Sequence, residues 1–290
     1  MPVLPTEELQ QMLPVFNSKA GRYLLERFRR LLLIDKVSDA YDRCCHCSGG
    51  EFAGKILECL DIDYSVGGET DFLGEFAGKP FITVSNHPYG GIDGLIIADL
   101  FTRLNPDYKI IVNEFLSHVK AFMPACFVVN PNNGGRKKVT GTNILAIKKA
   151  MEHVCDGHPL GLFPSGAVSD LSLRNGDIHD REWQEGILRV IQRLEVPVIP
   201  VRFFDRNSSF FYLLGLISSK IRVLRMPGEL FNKAGKPCRI GVGKPLYPER
   251  LAEFNDVREM GNFLRQEVYG MKMPGNFRKR SSIAAGGRLL

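Results

Sequence analysis

The chain has 290 residues, 44% of them hydrophobic and 24% charged, enough apolar material for a sizeable buried core and too much for a disordered chain. Its net charge of +6 is modest but uneven: Arg22, Arg27, Arg29 and Arg30 cluster early, and Lys272, Arg278, Lys279, Arg280 and Arg288 crowd the last segment. Both ends therefore lean toward an anionic surface.

No nucleic-acid recognition motif accompanies those cations, so no nucleic-acid partner is expected. No apolar run reaches the roughly 18 residues of a membrane span, and the first residues lack the basic-then-apolar order of an export signal. The expectation is a cytoplasmic protein, peripheral at most to the inner face of the cell membrane. Seven cysteines in such a chain read as reduced thiols. Cys44, Cys45, His46 and Cys47 contain one Cys-x-x-Cys, half of a zinc site whose second half is missing unless Cys59 or a distant residue supplies it. They are read as structural or incidental, and no metal is expected.

In chain order, residues 1–60 read as an N-terminal amphipathic helical segment. Tyr23, Leu24, Phe28, Leu31 and Leu32 recur at helical spacing beside the early arginines, a face that either packs on the rest of the protein or lies in a membrane interface. A second helix should run through Phe52, Ile56, Leu57 and Leu60. The period then changes, predicting strands over 61–67, 80–85 and 108–112, with a helix over 93–104. A strand over 125–130 leads into a turn-rich loop, 130–143, that carries Arg136, Lys137 and Lys138. Those cations at the mouth of a helix make either an anion site or a solvated loop. The helix that follows, 143–154, should turn Ile144, Ile147, Met151 and Val154 inward.

Further on, the pattern predicts a helix over 180–194, a central strand over 196–204, an apolar helix near 210–216, a strand over 238–242 and a last helix over 248–271. Phe210, Phe211, Tyr212 and Leu213 are read as core, with the wall of an apolar tunnel as the alternative. Such alternation argues an α/β fold with a mixed, mostly parallel sheet covered by helices on both faces. Residues 61–273 form its domain, and 274–290, rich in Gly, Ser and Arg, are expected to be a flexible basic tail.

The chemistry concentrates in VSNHPYGGIDGL, residues 84–95, which reads as strand, Gly-rich turn and helix start. Turns of this kind are where α/β proteins place their reactive groups. His87 and Asp93 are the groups here that can pair as a base and its orienting carboxylate, because a neutral imidazole needs a partner on one nitrogen to fix its tautomer. The plainer alternative is a histidine that caps a helix or is hydrogen-bonded in a core.

Asn86, His87 and Asp93 resemble the catalytic motif of the glycerophospholipid acyltransferases, the lysophospholipid acyltransferase family, which has Asn-His, four residues, then Asp. Five residues intervene here. One extra residue turns a helical carboxylate through about 100°, so the pairing requires Gly90 and Gly91 to absorb the insertion. The stretch GLFPSGAVSD, 161–170, is similar to the family's Phe-Pro-Glu-Gly-Thr-Arg-Ser: Phe163, Pro164, Gly166 and Ser169 agree, while Ser165, Ala167 and Val168 depart. VPVIPV, 196–201, matches the fourth motif, and DRNSSFFYLLG, 205–215, points to a bacterial subgroup resembling the ornithine and glycine lipid O-acyltransferases. The likeness covers roughly residues 62–245.

What the resemblance implies is transfer of a fatty acyl group from acyl carrier protein or coenzyme A to a hydroxyl of a lipid-like acceptor, with no further cofactor. His87 would be the base and Asp93 its orienter. The amides of Gly90 and Gly91, or of Gly166, would steady the oxyanion, and Asn86, Arg136, Lys137, Lys138, Phe163, Pro164, Ser165 and Gly166 would hold substrate. Acylation of lysophosphatidic acid is the rival reading. It is weakened by Val168 in the place of the family's arginine, which is a natural phosphate clamp. An acyltransferase-like protein that binds lipid without catalysis is the second rival.

Overall fold

The structure, a computed structural model, describes residues 10, 17, 18, 21, 23, 27, 32–68, 70–130 and 141–285, with the backbone alone for Lys220 and residues 283–285. Arg136, Lys137 and Lys138 lie outside the described residues, as does most of the early arginine cluster.

Two helices open the described fold, α1 (Ile34–Cys44) and α2 (Gly49–Cys59). Strand β1 (Tyr64–Gly68) follows, then β2 (Ile82–Ser85), α3 (Gly91–Thr102), β3 (Lys109–Asn113), β4 (Cys126–Val129), α4 (Gly141–Cys155) and β5 (Leu160–Leu162). A two-stranded hairpin, β6 (Asp170–Leu171) and β7 (Ile178–His179), precedes α5 (Glu185–Leu194) and β8 (Val198–Phe203). The chain continues through α6 (Ser209–Ile217), α7 (Ser219–Phe231), β9 (Cys238–Val242), the short α8 (Pro248–Leu251), α9 (Val257–Gly270), β10 (Phe277–Lys279) and α10 (Arg280–Ala285).

Among the described residues, eight strands form one sheet in the order β10-β1-β9-β8-β2-β5-β3-β4. The block β8-β2-β5-β3-β4 is parallel throughout, while β9 runs antiparallel to β8 and β10 antiparallel to β1. The sheet is therefore mixed and mostly parallel, as the sequence pattern predicts. Both faces are covered, and strand alternation decides which residue goes where. Ile82 and Val84 face the side packed by α4, α5 and α9, through Ala150, Val154, Leu188, Ile191, Met260 and Leu264. Ile199, Val201 and Phe203 face the other side, beneath α1, α2 and α3.

Residues 1–60 do not form a separate unit where they are described. Ala40, Cys44, Phe52, Ile56 and Leu57 are buried in the same core as Ile92, Ile96 and Phe101 of α3. The core does not break at residue 60, because α1 and α2 supply the layer that covers that sheet face. The sulfurs of Cys44 and Cys59 lie 2.7 Å apart in this layer, and all seven cysteines are free thiols.

The flexible-tail expectation is overturned for residues 277–285. β10 pairs with β1 through Ser65, Val66 and Gly67 and so covers that edge of the sheet. Arg280 is buried behind it: Nε donates to Asp99 at 2.6 Å, Nη1 to Glu58 at 3.0 Å, and Nη2 to the Gly54 carbonyl at 3.1 Å. A Gly, Ser and Arg composition signals mobility only while the arginine has water as its partner. Here a buried carboxylate 181 residues away takes that place.

Candidate active site

β2 sits between β8 and β5, and the three loops that leave the carboxyl ends of these parallel strands converge. This is the crevice in which open α/β sheets hold their reactive groups. Asn86 stands directly after β2, and its amide is used at both ends. Nδ2 donates to the Phe203 carbonyl at 2.9 Å and Oδ1 accepts from the Phe203 amide at 2.8 Å, which carries the β2–β8 ladder one step past the strand end. Buried and bonded through both its side-chain oxygen and nitrogen to the Phe203 backbone, Asn86 positions the turn.

Next in the chain, His87 directs Nδ1 at Asp93, 2.6 Å from Oδ2. Its side chain is 18% exposed, whereas that of Asp93 is fully buried. The ring of Phe163 lies against the imidazole with centroids 4.3 Å apart, so the ring plane is held by packing as well as by the carboxylate. Asp93 also accepts from the amides of Tyr89, at 3.0 Å, and Gly90, at 2.9 Å. Burial pushes its carboxyl above the usual range, against the opposing pull of His87 and of those two amides. Nδ1 lies within ion-pair distance of Asp93 though not in hydrogen-bond alignment, which leaves Nε2 as the nitrogen available to exchange a proton.

The five-residue spacing is absorbed as the glycine pair requires. Gly90 has φ +91° and ψ −108°, a conformation closed to residues with a side chain, and it precedes the first turn of α3. Asp93 is the third residue of that helix, so its reach back to the Gly90 amide also closes the helix N-terminus. A Cβ on Gly90 would in addition overlap the end of Met226. Gly90→Ala is therefore expected to cost about 1–3 kcal/mol of stability through backbone strain. Urea unfolding checks this, and an unchanged midpoint would mean that the turn does not need its glycine.

The amides proposed for an oxyanion divide on inspection. Gly90 donates to Asp93, and Gly166 donates to the Phe163 carbonyl at 2.9 Å, so both are occupied. Gly91 is the first residue of α3, where helical geometry leaves N–H groups without intrahelical acceptors, and a Cβ placed on it meets nothing within 4 Å. Ser165 is buried and donates to the Ala167 carbonyl at 2.8 Å, while its own carbonyl accepts from Gln184 at 3.1 Å. Pro164 accepts from the Gln184 amide at 2.9 Å. These residues shape the loop that presents Phe163 to His87.

Several anchors of the turn escape a reading of the sequence. Asp180 is buried and accepts from the His87 amide at 3.1 Å and from the Ser169 hydroxyl at 2.6 Å, and the Ser169 amide donates to the His87 carbonyl at 2.9 Å. Tyr212 donates to the Pro88 carbonyl at 2.7 Å, and Asn207 to the Tyr89 carbonyl at 3.0 Å. Near the position where the family's arginine is absent, Arg222 from α7 donates to the carbonyls of Ser169, at 3.1 Å, and Val168, at 3.4 Å, and to Asp170 at 2.5 Å. Among the described residues no group of three or more His, Cys, Asp or Glu is arranged to hold a metal.

A model of the family described as acyltransferase matches residues 13–276, nearly the whole chain. The chain belongs to the acyltransferase family. Two relatives carry the name lyso-glycine lipid O-acyltransferase: one from Phocaeicola vulgatus, 26% identical over 88% of this chain and 92% of its own, and one from Bacteroides thetaiotaomicron, 24% identical over 86% and 89%. Among solved structures, the 1-acyl-sn-glycerophosphate (LPA) acyltransferase PlsC from Thermotoga maritima is similar with a TM-score of 0.45 at 15% identity, over 89% of this chain and 88% of that one. Family membership agrees with the order of motifs along the acyltransferase chain, from Asn86 through Phe163 to Val196.

Proposed function

We propose that the protein transfers a fatty acyl group from a thioester, on coenzyme A or acyl carrier protein, to the hydroxyl of a lyso-lipid whose head group is an acyl amino acid. The observation that carries this reading is the contact of His87 Nδ1 with the buried carboxylate of Asp93, at 2.6 Å. With that nitrogen held, Nε2 takes the acceptor's hydroxyl proton as its oxygen attacks the thioester carbonyl. Asp93 steadies the imidazolium that forms. The carbonyl oxygen gains negative charge, for which the Gly91 amide at the head of α3 is the donor the turn leaves open. Collapse of the tetrahedral species expels the thiolate, which takes the proton back from His87. The thioester is activated before it binds, so no covalent enzyme intermediate is needed.

The acceptor class is supported by the two relatives named for lyso-glycine lipid and by the sequence resemblance. The rival, lysophosphatidic acid, needs a cation for its phosphate. Val168 supplies none, and the guanidinium beside it, that of Arg222, is buried and engaged with Asp170 and two carbonyls. Transfer from labelled palmitoyl thioester to a panel of lyso-glycine lipid, lyso-ornithine lipid and lysophosphatidic acid tests the assignment. Faster transfer to the amino-acid lipids is the expected result, and a preference for lysophosphatidic acid would overturn it.

A further inference from the structure

Among the described residues eleven large apolar side chains stand exposed, and eight of them lie on segments that leave the carboxyl ends of β4, β5 and β8. That is the edge of the sheet at which His87 sits. The densest part is the hairpin of α6 and α7. α6 has no charged residue in its nine, and its exposed face carries Phe210 (55%), Leu213 (51%), Leu216 and Ile217 (75%), continued on α7 by Ile221. Leu173, 79% exposed, adds to it from the turn of the β6–β7 hairpin, whose first strand packs on α6. A continuous apolar face of this kind in a protein otherwise of ordinary surface marks an interaction site.

We propose that this face docks the protein on an anionic lipid bilayer, with the α6–α7 hairpin seated in the interface and the His87 turn facing the membrane. Three observations choose a bilayer as the occupant. The first is charge. Arg174 and Arg206 are exposed at the rim, and the carboxylates nearest the hairpin are paired: Glu229 is buried against Ser208 and Lys233, Asp170 pairs with Arg222, and Asp205 pairs with Arg239, while Asp177 at the far side of the β6–β7 turn lies 3.6 Å from His179. An uncharged helix rimmed by cations matches the depth profile of an anionic interface, apolar within and basic at the head groups.

The second is continuity with the site. The hairpin grips the catalytic turn directly, through Tyr212 on the Pro88 carbonyl and Met226 against Gly90. The third rests on the function proposed above: an acceptor with a fatty chain is held in a bilayer, and a site that faces the lipid receives it without lifting the chain into water. The face thus carries both the address and the route of entry.

The test is co-flotation of the full chain with vesicles of phosphatidylcholine alone or mixed equally with phosphatidylglycerol, for the wild type, Leu213→Gln with Ile217→Gln, and Arg174→Gln with Arg206→Gln. The apolar double variant should bind both vesicles at least about tenfold more weakly, from the loss of two buried aliphatic side chains. The basic double variant should lose affinity for the anionic vesicles alone. All four positions are exposed, so thermal unfolding should be unchanged, and transfer to an acceptor dispersed in detergent should persist in the apolar variant.

Wild-type vesicle binding by the apolar variant would overturn the proposal. So would loss of transfer from acyl carrier protein with vesicle binding kept, which would make the face a protein interface, or a wild-type dimer in sedimentation that the variant splits. If the wild type floats and the apolar variant does not, while neither transfers an acyl chain to any acceptor, the docking surface stands and the enzymatic reading falls.

Discussion

His87→Ala is expected to lower acyl transfer by about a hundredfold to ten-thousandfold, the range that a positioned general base contributes. The loss should fall on kcat. In the proposed mechanism the imidazole acts on the proton that leaves the acceptor hydroxyl and takes no part in holding the thioester's carrier. Asp93 keeps its bonds from the Tyr89 and Gly90 amides when the ring is removed, so the turn and the start of α3 persist. Unfolding of the variant should therefore resemble that of the wild type. Steady-state transfer from palmitoyl thioester to a lyso-glycine lipid is the measurement, and a variant within tenfold of wild type would remove His87 from the chemistry.

Arg280→Ala is expected to destabilise the fold by about 3 kcal/mol, the lower end of the cost of stripping one partner from a buried ion pair. The guanidinium holds Asp99, Glu58 and the Gly54 carbonyl, and thereby ties β10 and α10 to α2 and α3. Asp99 would retain Tyr64 at 2.7 Å and Arg103 at 2.7 Å, which is why the larger costs in that range are not expected. Arg280→Lys should recover only part of the loss, since one ammonium cannot reproduce a planar fork reaching three acceptors. Midpoints of urea unfolding report both variants. An alanine variant as stable as the wild type would mean that the C-terminal strand contributes nothing to the core.

The central strands were legible because they are buried on both faces and therefore written as uninterrupted β-branched runs, as in 196–204. His87 and Asp93 were legible because a strand, a glycine pair and a helix start fall within twelve residues. What the sequence does not display is pairing at long range. The helix expected from residue 180 begins at Glu185, because Asp180 is taken by the His87 amide and lies outside the helical ladder. The single last helix divides into α8 and α9, with Asp256 capping the second through the Arg258 amide. Helix α7 has no counterpart in the sequence pattern, since Pro227 within it interrupts the helical run.

Burial was misjudged where apolar residues face outward for a reason beyond the core. Phe211 and Tyr212 are buried as expected, whereas Phe210 and Leu213 are exposed, and Ile144 at the start of α4 is exposed as well. Periodicity identifies an apolar face without stating what covers it. Asn86 illustrates the same limit at the site: the residue matched the family motif, yet its amide completes a strand ladder.

The anchors of the His87 turn come late in the chain. Asp180 follows His87 by 93 residues, Phe203 follows Asn86 by 117, Asn207 follows Tyr89 by 118, and Tyr212 follows Pro88 by 124. At a synthesis rate of about 5–20 residues per second, roughly 5–25 s separate the emergence of His87 from that of the groups that fix it. During that interval the nascent chain carries both members of the His87–Asp93 pair without the long-range anchors of their turn, which are complete only once the α6–α7 hairpin that bears Tyr212 has been made.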